Sequence, residues 1–133
     1  MASILVDLGG YIDTNFAGLT LGTNLFYGMM PEAPDNCVAL FENGGVSPVF
    51  TQGSTKTIKI ERPQFQFLVR NTSYETGTAL ANSIYVFLTQ VVNQSINGTQ
   101  YLRVVAMSNP SVIERDSNKR VIFTCNFDIQ RLL

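Results

Sequence analysis

Histidine and tryptophan are missing from this 133-residue chain, and charged residues make up only 14% of it. The lack of histidine removes the commonest general base and the commonest metal ligand together. Serine–histidine triads, cysteine–histidine pairs and imidazole-bound zinc are thereby excluded. Cysteine is scarce too: Cys37 and Cys125 each lie inside an apolar run, with no Cys-x-x-Cys spacing, and are expected to be buried free thiols. No secretory signal is legible, so the Asn-x-Ser/Thr triplets beginning at Asn71, Asn93 and Asn97 read as polar turns and caps. Long hydrophobic runs are lacking as well. None approaches the roughly 20 residues that cross a bilayer, so a soluble protein with no membrane contact is expected.

What is present is apolar, at 45% of residues, in a length suited to one core. Ordinary soluble domains carry about 25% charge, so much of this surface must be neutral, the kind of surface another chain often covers. The charge is also unevenly placed. Residues 1–55 hold five acids (Asp7, Asp13, Glu32, Asp35, Glu42) and no base, whereas residues 56–133 hold nine bases and five acids. The asymmetry, −5 against +4, suggests complementary faces that meet between copies, with a chance scatter of surface charge as the plainer reading. Candidate subunit or partner contacts are Glu32, Asp35 and Glu42 on the acidic side, and Lys56, Lys59, Arg115, Lys119 and Arg120 on the basic side.

Ile4, Leu5, Leu8, Tyr11 and Ile12 share one helical face, with Ser3 placed to cap it and Gly9 and Gly10 weakening it. Strands are expected over residues 24–30, 37–42, 57–61 and 63–71, the last alternating Phe65, Phe67 and Val69 against Gln64, Gln66, Leu68 and Arg70. Residues 44–55 have no periodicity and read as a long loop or a flexible hairpin arm hinged at Gly44 and Gly45. Thr72 and Glu75 form a capping box for an amphipathic helix of roughly 17 residues that buries Leu80, Ala81, Ile84, Phe87, Leu88 and Val91. Asn97-Gly98 sits between alternating arms as a two-residue hairpin turn, and residues 121–129 alternate as a long final strand. The expected fold is α+β: a mainly antiparallel sheet with two helices packed on it, in a single domain spanning residues 1–133.

The search for chemistry is brief. Cys37 as a nucleophile is disfavoured by its core neighbours Val38 and Leu40, and Glu32 with Asp35 beside two prolines reads as turn stabilisation rather than a glycosidase pair. The stretch "GGVSPVFTQGS" lacks the lysine and hydroxyl of a phosphate loop. Arg115, Lys119 and Arg120, flanked by Glu114 and Asp116, read as a solvated hairpin tip, with a partner or passing DNA as the alternative. No catalytic residue, cofactor or metal is expected.

Three long stretches, "LGTNLFYGMMPEAPDNCVALFENGG", "ERPQFQFLVRNTSYETGTALANSIYVFL" and "INGTQYLRVVAMSNPSVIERDSNKRVIFTCNFDI", resemble the tail terminator, or minor capsid, family of long-tailed bacteriophages. The landmarks are Pro34-Asp35-Asn36, Arg62-Pro63, Tyr74-Glu75 and Arg115-Asp116. The resemblance implies a non-enzymatic virion protein, a homo-hexameric ring that ends tail-tube polymerisation. It further implies assembly in the host cytoplasm, contacts to the tail tube protein and the head-completion or connector protein, and DNA crossing the lumen without sequence-specific binding. Another neck component of the same particle and a small-ligand-binding α+β domain are the alternative readings.

Overall fold

The structure, a computed structural model, describes residues 3–50 and 59–132. Helix α1 (Ile4–Asn15) starts at Ser3, whose hydroxyl accepts the Val6 amide at 3.2 Å. Strands β1 (Leu25–Tyr27), β2 (Cys37–Glu42), β3 (Val46–Phe50), β4 (Lys59–Arg62) and β5 (Gln64–Asn71) precede helix α2 (Tyr74–Thr89). After it come β6 (Val92–Ile96), β7 (Thr99–Ala106), β8 (Ser111–Arg115) and β9 (Val121–Leu132).

The nine strands form one sheet organised around β9. Along one side β9 pairs with β5 and, at its end, β4; along the other it pairs with β7 and β8, all antiparallel. Beyond β5 lie β2 and β1, beyond β4 lies β3, and beyond β7 lies β6. One pair departs from the expected pattern: β1 runs parallel to β2. Gly28 ends β1 at positive φ, and residues 28–36 return the chain along the sheet edge, so β2 starts beside β1 in the same direction.

Alternation decides the layers. β9 buries every second residue throughout its length, and Phe123, Cys125, Phe127 and Ile129 share the buried face with Phe65, Phe67 and Val69 of β5. Phe65 and Phe127 stack with centroids 5.0 Å apart. Both helices cover this face through Leu8, Ile12, Ala81, Ile84 and Leu88, and are joined where Phe87 meets Tyr11 and Phe16. Burial of these side chains at about 1.5 to 3 kcal/mol each is the main favourable term in the fold. Gly9 also has a packing reason: a Cβ there would lie 3.1 Å from the Tyr27 ring, so its absence lets α1 settle on β1.

Several local expectations shift. The α2 cap is Ser73, which accepts the Thr76 amide at 3.3 Å, not Thr72. Residues 46–50, expected in an aperiodic loop or arm, form β3 of a hairpin with β4, while Thr51–Ile58 fall outside the described residues. Gly45 is packed rather than loose: at φ +115° a Cβ there would collide with the Arg62 carbonyl. Cys37 and Cys125 are free and buried.

Candidate functional site

The return segment after β1, residues 28–36, contains Pro31 and Pro34, which have no N–H to donate. Its carbonyls therefore outnumber its donors, and backbone acceptors that no ladder satisfies need partners from elsewhere. Two arginines supply them. Arg70, at the end of β5, donates to the carbonyls of Pro31 (2.6 Å), Glu32 (3.2 Å), Pro34 (2.7 Å) and Asp35 (3.1 Å). Arg120, immediately before β9, donates to the Glu32 carbonyl at 2.7 Å and pairs with the carboxylates of Glu32 (3.0 Å), Asp35 (3.3 Å) and Asp116 (2.8 Å). The planar fork of guanidinium donors suits such a fan of acceptors, as a lysine ammonium would not.

Further bonds close the arrangement. Asn118 donates to Glu32 at 2.8 Å, and Asn36 accepts the Thr72 amide at 3.0 Å, which explains why Thr72 is spent on the loop and Ser73 caps the helix. Asp116 accepts the amides of Asn118 and Arg120. Desolvation works against its charge, yet the hydrogen bonds and charge of Arg120 hold its carboxyl below the ordinary value. Arg120 is shifted up, desolvation being outweighed by Asp116 and Glu32. Its side chain is 4% exposed, whereas those of Glu32 and Asp35 are 79% and 67% exposed. The result is a loop fixed from beneath that shows carboxylates and the exposed Met29 to solvent, with Tyr27 of β1 exposed beside it.

The candidate contacts thus divide. Glu32, Asp35 and Arg120 come together, and Arg120 is a buried clamp rather than part of a solvated tip. Arg115 and Lys119 adjoin them in the β8–β9 turn, where the Arg115 guanidinium donates to the Lys119 carbonyl at 3.1 Å. Glu42 and Lys59 sit at the far end of the sheet, lining hollows around Pro63 and Arg131. Lys56 lies outside the described residues. Much of the opposite charge in the two parts of the chain meets within one copy, through Arg120 with Glu32 and Asp35 and through Arg131 with Asp7.

That last pair belongs to a second cluster, at the C-terminal end of β9. Asp7, 2% exposed, accepts the Tyr101 hydroxyl at 2.5 Å and the Asn97 amide at 3.1 Å. Arg131 donates to the Tyr101 oxygen at 3.1 Å and to Glu61 at 2.9 Å, tying α1, β4, β7 and β9 together. Burial, and then the hydrogen bond to Asp7, push the Tyr101 phenol well above its ordinary range. Sequence reasoning missed Arg70 in the first cluster and Asp7, Tyr101 and Arg131 in the second. A signal existed for Asp7, which falls between Ile4 and Leu8 on the apolar side of α1. Arg70 stands on the outer side of its strand and carried none.

This geometry fixes surfaces. The clamp's carboxylates are committed to Arg120, and among the described residues no acidic or thiol group is grouped as a metal would need. Among the described residues, too, no helix is long and apolar enough to cross a membrane. The whole is an α+β domain: a curled mixed sheet backed by two helices and faced with a clamped loop. A family model described as bacteriophage tail terminator protein matches residues 14–132, so the chain belongs to that family. Among solved structures, the fold is similar to a chain from the virion of a native gene transfer agent (GTA) particle. The TM-score is 0.58 at 12% identity, covering 84% of this chain and 81% of that one. No curated protein sequence matches.

Proposed function

We propose that six copies of this chain close into a ring that ends tail-tube polymerisation and joins the tail to the head connector, with DNA passing through the lumen. The observation that carries this reading is the family match over residues 14–132. The clamped loop supports it: ordering a surface loop before any partner arrives removes a conformational cost of about 1 to 2 kcal/mol per residue from association. Glu32 and Asp35, with Met29, are the contacts at that end. Glu42 and Lys59 serve the opposite end, Arg115 and Lys119 flank the loop, Arg120 acts by holding it, and Lys56 is a further proposed contact. The ring performs no reaction and holds no cofactor; assembly takes place in the host cytoplasm and the finished ring sits at the head–tail junction.

Negative-stain images and light scattering of the concentrated protein, alone and with isolated tail tubes, test this. Open-centred rings of six masses seated on tube ends are expected, and loss of the protein should give tubes of uncontrolled length. Rings that bind heads but ignore tubes would reassign the chain to another neck position. A persistent monomer that melts higher with a small ligand would overturn the structural reading.

A further inference from the structure

Among the described residues the sheet has four outer edges, and they are not equivalent. On the β5 side of β9, the outer side of β1 is taken by its own chain, through the Leu21–Leu25 bridge and the Gly22 amide on the Leu25 carbonyl. β3 has no second neighbour among the described residues and exposes Val46 and Val49. On the β7 side, β6 offers a mainly polar edge interrupted by Asn93 at positive φ. β8 is exposed at all five residues, pairs with β9 alone among the described residues, and shows Val112 and Ile113 to solvent. Two edges with exposed apolar side chains, β3 and β8, are thus left open among the described residues. An open edge of this kind is a template for pairing with another chain.

We propose that β3 of one copy adds to β8 of the next, so that neighbouring subunits share a continuous sheet; this rests on the ring reading above. The occupant is a second copy because of where the edges stand. β3 is reached through β4 at the C-terminal end of β9, and β8 lies on the other side of β9 at its N-terminal end. Along β9 the two are separated by roughly 25 to 35 Å of extended strand, so one chain cannot join its own edges. Unlike patches meeting head to tail make a heterologous contact, which closes into a ring when the rotation allows. Their apolar parts match, since β3 carries no charge and exposes Val46 and Val49 toward Val112 and Ile113 of β8. Pro48 leaves one position of the ladder without a donor, and Glu114 and Arg115 fall at the charged end of β8. Register shifts in both strands, between Val46 and Val49 and between Val112 and Glu114, bend each edge and restrict which strand fits it.

The test is chemical cross-linking of a doubly substituted chain, Ser47→Cys with Ile113→Cys, using a short bismaleimide on the assembled protein. Cys37 and Cys125 are buried with pKa values raised by burial, so the parent chain serves as the silent control. A covalent ladder in the double variant, with neither single variant giving one, supports the joint. Dimers from Ile113→Cys alone mean that β8 pairs with β8, and overturn it. Rings with no ladder overturn the joint while leaving the ring reading intact, and the absence of any ring in the parent protein overturns both. As a second measure, Ile113→Lys, at a site already 54% exposed, should leave the monomer's melting curve unchanged. It should raise the concentration needed for ring assembly about tenfold or more; an unchanged concentration counts against the joint.

Discussion

Two arginines bracket β9, and they do opposite work. Arg120, just before the strand, faces carbonyls and two largely exposed carboxylates and so stiffens a piece of surface. Arg131, next to its last residue, faces the buried Asp7 and Tyr101 and the half-buried Glu61, and so locks α1 and β4 onto the core. The same side chain stabilises shape at one end and the whole fold at the other. What differs is whether water can replace it. Glu32 and Asp35 regain solvent if their arginine leaves, whereas Asp7 does not.

The largest effect therefore belongs to the C-terminal end. Arg131→Leu leaves Asp7 as a buried charge with neutral partners only, and should cost about 3 to 5 kcal/mol in urea unfolding. Tyr101→Phe, which removes the hydroxyl donated to Asp7, should cost about 1.5 to 3 kcal/mol. If both variants unfold at the parent midpoint, the cluster does not lock α1 and β4 onto the core.

At the loop end, Arg70→Gln removes the donors of four carbonyls that lie close to solvent. Global stability should fall by only about 1 to 2 kcal/mol. Amide exchange in residues 31–36 should accelerate about tenfold or more while exchange in β9 barely changes, since an opening of 1.4 kcal/mol corresponds to a factor of ten. A uniform acceleration across the chain would erase the distinction between the two ends.

That distinction was only partly legible in the sequence. Periodicity gave α1, α2, β5 and β9 because each presents one apolar face to one core, and side-chain burial follows backbone period. It missed the parallel β1–β2 pair, because the direction of a three-residue strand depends on how residues 28–36 return, and that depends on Arg70 and Arg120. Reading Arg120 with Arg115 and Lys119 as one solvated patch failed for the same reason: its carboxylate partners at residues 32 and 35 are remote in sequence. Thr72 shows the conflict in miniature. Locally it is a good helix cap, but the loop's Asn36 binds its amide and the cap moves one residue on.

The smallest predicted effect sets the two ends apart by pH. Asp116 is held below its ordinary value of 3.8, chiefly by Arg120 against the opposing cost of desolvation. A depressed acid contributes stability that is present above that value and is lost as pH falls through the depressed one. Acid should thus loosen residues 31–36 and the β8–β9 turn first, with a modest amplitude because the partners Glu32 and Asp35 are screened by solvent. Tyr101 has the opposite sign: burial and Asp7 raise it above 10.0, so its contribution is complete below that value and declines as pH rises beyond it. Exchange measured residue by residue across the pH range should therefore show acid opening at one end of β9 and alkaline opening at the other. In Asp116→Asn the acid limb should shrink while the alkaline limb stays. If acid instead opens α1 and β7 before the loop, the Asp7 cluster rather than the clamp is the weaker of the two, and the ranking of the two arginines is reversed.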